Sequence, residues 1–208
     1  MPIKIIEATS GTDLKSFSVG SEKIGTTTLV NSSGVEIFPL SDTRSENVYA
    51  TTFQVTPPAT PTDIITIVGS STKTIRVKYI YINTIQTTAG INQFFLIKRS
   101  TDNTGGTSTN STIVPNSSLF PSPTCTIRQY TANPTTLGTS VGNIRNMMIV
   151  SPAVASLING IIEIDLTNKG NHNGIDLIGL SQVLSINFGG AALPAGLSVR
   201  GSIVFSEL

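Results

Sequence analysis

Alternation of apolar and polar residues is the dominant pattern of this sequence. It is clearest in four stretches: Thr74–Asn83 (TIRVKYIYIN), Ile91–Ser100 (INQFFLIKRS), Gly160–Thr167 (GIIEIDLT) and Leu197–Leu208 (LSVRGSIVFSEL). A period of two residues places neighbouring side chains on opposite faces of a β-strand, so that one face is buried and the other is wet. Long runs of Thr, Ser, Asn, Gly and Pro separate these stretches. The pattern predicts an all-β fold.

From residue 47 onward, strand candidates follow one another with irregular connections. They are Val48–Val55, Asp63–Gly69, Thr74–Thr84, Ile91–Ser100, Thr124–Thr131, Asn143–Ser151, Gly160–Thr167, Ile175–Leu180, Val183–Phe188 and Leu197–Ser206. This succession predicts an antiparallel β-sandwich of the jelly-roll type. An immunoglobulin-like sandwich is the alternative, although no Trp core or Cys pair supports it. We expect a long polar loop at Asp102–Ser122 and a short helix at Ser151–Asn159.

The strand Thr74–Asn83 leaves its core face undecided, because its second half is apolar on both sides. Two alternatives are open for the core face: Ile75, Val77, Tyr79 and Tyr81, or Ile80 and Ile82. Apolar residues on both faces predict a central strand that is covered on both sides. Tyr79 and Tyr81 are partner-binding candidates, either as a platform for stacking a sugar or as a contact between subunits, with ordinary packing as the alternative.

Residues 1–46 form a separate segment in which apolar positions are sparse and charges are spread among Gly, Ser and Thr. Two strand candidates, Thr27–Val30 and Val35–Leu40, flank an Asn-Ser-Ser-Gly turn that is typical of a hairpin. We interpret 1–46 as an extended arm or hairpin that anchors the sandwich domain, residues 47–208, by adding strands to a partner's sheet edge. Packing on its own domain is the alternative. The partner-binding candidates of the arm are Thr27, Leu29, Val35, Ile37 and Leu40.

Composition favours self-association over binding to nucleic acid or membrane. Charged residues make up 12% of the chain and the net charge is +1, which gives no electrostatic reason to expect nucleic-acid binding. A near-neutral surface with apolar strand faces predicts a homotrimer or a higher symmetric assembly. Met1–Glu7 lacks the apolar region of a signal peptide, and no apolar run approaches the ~18 residues of a membrane span. We therefore expect synthesis in a cytoplasm and no membrane partner.

No group of residues predicts catalysis, a metal site or a cofactor. Cys125 lies between threonines and reads as a small buried residue. The single histidine, His172, falls in a turn without a second metal ligand nearby. Glu163 and Asp165 share one strand face, as paired carboxylates do in glycosidases, but a solvated strand face is the better interpretation. The sequence therefore predicts a protein that is not an enzyme.

Four segments carry a resemblance to a known family. They are TKTIRV at 72–77, FLIKRSTDNTGGTST at 95–109, IRQYTANPTTLGT at 127–139 and QVLSINFGGAALPAGLSV at 182–199. They resemble the TKTIRV, LLIKRST.NTGGTST, VRAYTANPT.LGT and QVLAINFNGA.LPAGLSV patterns of a family of small tailed-bacteriophage structural proteins. The resemblance covers about residues 50 to 206 and does not include 1–46.

The resemblance implies a β module of a virion without known chemistry. We expect a capsid decoration or cement protein, or a head-fibre component, held to the major capsid protein or another virion protein by its arm and by β-sheet contacts. The alternative is a component of the tail, collar, baseplate or a fibre that binds a glycan on the host surface.

Overall fold

The computed structural model describes residues 29–30, 36–38, 46–151, 153, 160–167 and 174–208. The chain divides into two compact units, 1–45 and 46–208. In the first unit, β1 (Leu29–Val30) pairs antiparallel with β2 (Glu36–Phe38), and both strands lie within the segment expected to form a hairpin. Leu29 lies in β1 and Ile37 lies in β2. The other candidates of the arm, Thr27, Val35 and Leu40, fall outside the described residues.

The second unit is an antiparallel β-sandwich, which confirms the predicted fold class. Its strands are β3 (Asn47–Val55), β4 (Asp63–Val68), β5 (Thr74–Ile85), β6 (Gly90–Arg99), β7 (Thr107–Asn110), β8 (Ile113–Pro115), β9 (Thr126–Ala132), β10 (Ser140–Ser151), β11 (Gly160–Asp165), β12 (Ile175–Ile178), β13 (Val183–Asn187) and β14 (Ser198–Glu207). The described residues contain no helix. The first sheet has the strand order β10-β6-β13-β4-β9-β7, and the second sheet has the order β11-β5-β14-β3-β8, with β12 also pairing with β5.

The core lies between the two sheets and is built from alternate residues of each strand, as the period of two predicts. In the second sheet, Tyr49 of β3 stacks on Phe205 of β14 with ring centroids 5.5 Å apart. In the first sheet, Phe94 of β6 stacks on Phe188, which follows β13, at 5.8 Å. All four aromatic side chains are at most 2% exposed. Burial of large apolar side chains on both inner faces is the main stabilisation of such a domain.

A β-bulge in β5 makes each of the two alternatives for its core face correct for one part of the strand, and only Tyr79 and Tyr81 were wrongly placed in the core. Val204 of β14 pairs with Tyr79, but the next residue, Phe205, pairs with Val77, so Lys78 is an extra residue in β5. An extra residue exchanges the two faces of a strand from that point onward. The inward side chains are therefore Ile75 and Val77 before the bulge, and Ile80 and Ile82 after it, all 0% exposed.

Complete burial on both faces belongs to β4 and β13 rather than to β5. Every residue of β4 and of β13 is buried, whereas the outward residues of β5 are half-exposed. The prediction that Thr74–Asn83 is covered on both sides was therefore wrong. The short continuous runs of β4 and β13, DIITIV and VLSIN, are the pattern of a strand buried on both faces.

The segment predicted as a long polar loop, Asp102–Ser122, contains two short strands. Strand β7 pairs with β9 at the edge of the first sheet, and β8 pairs with β3 at the edge of the second. All four residues of β7 are exposed, so its sequence, TSTN, carries no alternation to reveal it. Of the predicted helix Ser151–Asn159, Ser151 is the last residue of β10 and Ala153 forms a parallel bridge with Gln86. The remainder of that segment lies outside the described residues.

Candidate binding surfaces of the sandwich

Tyr79 and Tyr81 lie together on the outer face of the second sheet. The bulge at Lys78 turns both side chains away from the core, and both are half-exposed. Tyr81 stands opposite Glu163 of β11 on one side and Ser202 of β14 on the other. The two tyrosines therefore lie next to each other on the outer side of this sheet, in line with their predicted position on one strand face. What binds them stays a prediction.

Beside the tyrosines, the carboxylates of Glu163 and Asp165 are exposed on the edge strand β11. This confirms the prediction that they lie on a solvated strand face. Partial desolvation raises the pKa of Tyr79, and the hydrogen bond and negative charge of Glu163 raise it further. Asp165 accepts hydrogen bonds from the backbone N–H of Thr167 at 2.8 Å and from its hydroxyl at 2.6 Å. Both carboxylates thus support neighbouring groups on the surface.

A depression of about 510 Å³ lies on the same face, and Tyr81 forms one of its walls. We call it the polar depression because most of the residues around it carry polar side chains. The side chains that define it come from three neighbouring strands: Thr52 and Gln54 of β3, Tyr81, Asn83 and Ile85 of β5, and Arg200 and Ser202 of β14. Phe53 and Gly201 also contribute to its lining. A Cβ atom at Gly201 would lie 2.4 Å from Phe53 Cζ. Only glycine at position 201 therefore leaves room for the ring of Phe53.

Cross-strand pairing arranges six of these side chains in two rows. In one row, Arg200 stands between Asn83 and Gln54. In the other row, Ser202 stands between Tyr81 and Thr52. Strands are about 4.8 Å apart and residues on one face of a strand about 6.7 Å apart, so the two rows span roughly 10 Å by 7 Å. The sequence did not predict this grouping.

Arg200 carries the unneutralised charge of the polar depression. It is exposed, and no hydrogen bond or ion pair links its guanidinium to another of the described residues. By contrast, Arg99 pairs with Asp63 and Arg128 pairs with Asp102. A guanidinium without a partner presents its full set of donors to whatever enters the depression.

At the opposite end of the same face, positive charge is neutralised by Glu46. Its carboxylate accepts hydrogen bonds from Arg76 Nη1 at 2.8 Å, from Ser206 Oγ at 3.0 Å and from Lys78 Nζ. Burial raises the pKa of Glu46, but the hydrogen bonds from Lys78 and Ser206 and the charges of Lys78 and Arg76 outweigh burial and hold the pKa below its ordinary value. Arg76 Nε also contacts Asp176 at 2.8 Å.

An apolar patch lies at the edge of the first sheet. Strand β10 is the edge strand, and Val150 pairs with Ile91 of β6 on its outer face, next to Met148. These three side chains, which we call the β10 patch, are 65–69% exposed. A long edge strand with exposed apolar side chains is a template for pairing with another chain.

A polar cluster is buried in the first sheet. Asp63, 0% exposed, accepts hydrogen bonds from Arg99 Nε and Nη2 at 2.8 and 2.7 Å, from Asn103 Nδ2 at 2.8 Å and from Asn187 Nδ2 at 2.6 Å. Arg99 Nη1 donates to the carbonyl of Gly138 at 2.7 Å, and the Gly138 N–H donates to Asn103 Oδ1 at 2.8 Å. This Asp63 network joins three strand ends to two loops and has no access for a ligand, so its role is structural.

The described residues offer little reactive chemistry. Cys125 is 7% exposed, as predicted, and burial together with the charge of Glu207 raises its pKa to about 12. The part of the chain that the structure describes holds no group of three or more His, Cys, Asp or Glu residues that could bind a metal ion. His172 lies outside that part. No helix among the described residues is long and apolar enough to cross a membrane.

No family model, no curated protein and no solved structure matches this chain.

Proposed function

We propose that the protein is a structural component of a tailed-bacteriophage virion, located on the head as a decoration or cement protein or as part of a head fibre. The observation that carries this proposal is the position of the four family-like segments in the fold. Four members of the Asp63 network fall within those segments: Arg99, Asn103, Gly138 and Asn187. The resemblance therefore involves residues that hold the sandwich together, as expected for a shared structural module.

The exposed surfaces support a role in assembly. Strand β10, which carries Met148 and Val150 of the β10 patch, is an edge strand among the described residues. Its position and its exposed apolar side chains suit β-sheet contacts with another subunit. The low net charge of +1 imposes little repulsion between copies. The proposed assembly is a homotrimer or a higher symmetric form, attached to the major capsid protein or another virion protein. The proposed anchor is the arm, through Thr27–Leu40.

A jelly-roll connectivity of the sandwich is part of the same proposal. Eight strands form its frame in chain order: β3, β4, β5, β6, β10, β11, β13 and β14. Numbered in this order from one to eight, they pair as 1-8-3-6 in the second sheet and as 2-7-4-5 in the first. Two four-stranded sheets that close in this way suit a jelly roll, an architecture used in viral capsid domains.

Virions of the phage that encodes this chain provide the test. We expect the protein to co-purify with virions through a density gradient and antibody–gold to label the head. A variant lacking residues 1–40 should fold but bind virions poorly. A protein that is absent from purified virions, although it is expressed during infection, would overturn the proposal.

The polar depression favours a second candidate, a tail, collar, baseplate or fibre component that binds a host-surface glycan. An aromatic ring beside amides and hydroxyls, as at Tyr81, Asn83 and Ser202, can stack on one face of a sugar while the polar groups bind its hydroxyls. Gold labelling of the tail rather than the head would select this candidate.

A further inference from the structure

We propose that the polar depression on the second sheet binds an acidic oligosaccharide, with a sugar carboxylate on Arg200 and a sugar ring on Tyr81. This goes beyond a structural role in the virion and holds whether the sandwich sits on a head or on a tail. The inference rests on the charge of Arg200, which no other described residue neutralises, on the arrangement of the surrounding side chains and on the size of the depression.

The positive charge of Arg200 favours a ligand that carries a carboxylate. Its planar guanidinium has five N–H donors in a geometry that fits a carboxylate with two parallel hydrogen bonds. Its neighbours in the row, Asn83 and Gln54, are neutral carboxamides, and neither side-chain amide forms a hydrogen bond to another of the described residues. A carboxylate bound to Arg200 would therefore have amide donors on both sides, and no competing carboxylate in that row.

The second row provides the groups that a sugar ring requires. The half-exposed ring of Tyr81 offers an apolar face, and the hydroxyls of Ser202 and Thr52 stand beside it in register. Ile85 adds an apolar contact at the rim. Sugar rings bind proteins by this combination of stacking on an aromatic face and hydrogen bonds to hydroxyl groups.

The size and the charge balance of the depression argue for a saccharide rather than nucleic acid. Two rows spanning roughly 10 Å by 7 Å accommodate one or two sugar rings. A nucleic-acid site needs several Lys or Arg residues along a strand of phosphates, whereas this depression holds one, Arg200. Glu163 and Asp165 are exposed on the same face and would repel a continuous polyanion beyond Tyr81.

The test is isothermal titration calorimetry of the full chain with two short acidic probes, digalacturonate and α2,8-linked disialate, and with maltohexaose as a neutral probe. We expect at least one acidic probe to bind, and maltohexaose to bind about 10- to 100-fold more weakly, because the carboxylate–guanidinium contact is a charged hydrogen bond. Failure of both acidic probes at millimolar concentration would overturn the inference, as would equal affinity for maltohexaose.

Matched variants locate the site. Arg200→Met and Tyr81→Ala should each weaken binding about 10- to 100-fold, and Arg200→Lys should restore part of the loss because it keeps the charge but not the planar fork. Arg145→Met removes the same charge from the edge strand β10, and Ile178→Ala removes an exposed apolar side chain of the second sheet that lies outside the depression. Both controls should bind as the unaltered protein does; a loss in either control equal to that in its counterpart would refute the location.

The result is separable from the proposed virion role. If Arg200→Met abolishes saccharide binding while the protein still co-purifies with virions at normal copy number, the site is confirmed independently of attachment. If the protein is absent from virions but binds an acidic probe through Arg200 and Tyr81, the virion proposal fails and the binding site stands.

Discussion

Replacing Asp63 with Asn should destabilise the sandwich more than any exposed charge change. The carboxylate is 0% exposed and its partner Arg99 is 3% exposed, so Asp63→Asn keeps the shape but leaves a buried guanidinium without its counter-ion. Removing one partner of a buried ion pair costs about 3–5 kcal/mol. In a domain of this size each kcal/mol lowers the melting temperature by about 2–4 °C, so we expect a fall of roughly 6–20 °C.

Urea denaturation followed by circular dichroism at neutral pH measures the change in unfolding free energy. The matched control is Asp102→Asn, which breaks the ion pair with Arg128 in the same sheet. The side chains of that pair are 30% and 23% exposed, and a pair so open to solvent contributes about 1 kcal/mol or less. If both variants lose the same unfolding free energy, within about 0.5 kcal/mol, burial does not determine how much the Asp63–Arg99 ion pair contributes to stability.

Four further predictions concern single residues. The pKa of the Glu46 carboxylate is lowered from 4.5 in the folded protein, so the charged carboxylate stabilises the fold above pH 4.5. Because this stabilisation is lost as the pH falls through the lowered pKa, the melting temperatures of the unaltered protein and Glu46→Gln should converge there. Cys125, with a pKa of about 12, should react with a disulfide reagent at pH 8 only after unfolding. Gly138→Ala places a Cβ 1.9 Å from the Thr101 carbonyl oxygen and should cost about 1–3 kcal/mol in urea denaturation. The proposed homotrimer should sediment as a single species at micromolar concentration, and Met148→Lys should shift it toward monomer if the β10 patch forms the contact.

The strands were predictable because burial leaves a period of two in the sequence. β3, β5 and β14 show that alternation directly, and their bounds differ from the predicted ones by only a residue or two. The bulge at Lys78 was not predictable, because the residues that follow it are apolar on both strand faces. The extra residue therefore leaves no visible break in the alternation of apolar and polar residues. Strand β7 could not be found either, since an edge strand without a buried face carries no hydrophobic pattern.

Two residues of the Asp63 network lie at the ends of apolar runs in the sequence, and the sequence analysis did not predict their burial. Asp63 directly precedes the apolar run of β4, and Asn187 ends the run of β13. When both faces of a strand are buried, a polar residue at its end is buried too and needs partners. A continuous apolar run flanked by Asp or Asn therefore predicts a buried polar pair, even though the identity of the partner depends on the fold.

Of the polar depression, Tyr81 was predicted as a partner-binding residue, whereas Gln54 and Arg200 were not. They lie far apart in the sequence and meet because β14, the last strand, inserts between β3 and β5. Pairing between the ends of a chain is a property of topology, and no local pattern encodes it. Residues of such a site can be recognised only after the strand order is known.

The outer face of the second sheet can change without loss of the core, because inward and outward residues alternate along each strand. On β14, Arg200 lies in the polar depression, whereas its neighbour Val199 is 0% exposed. On β5, Tyr81 lies in the depression between Ile80 and Ile82, which are both 0% exposed. A rigid sheet can therefore carry different outward side chains on the same core. The proposed saccharide binding would accordingly change with the outer residues of β5 and β14, while the stability of the sandwich would not.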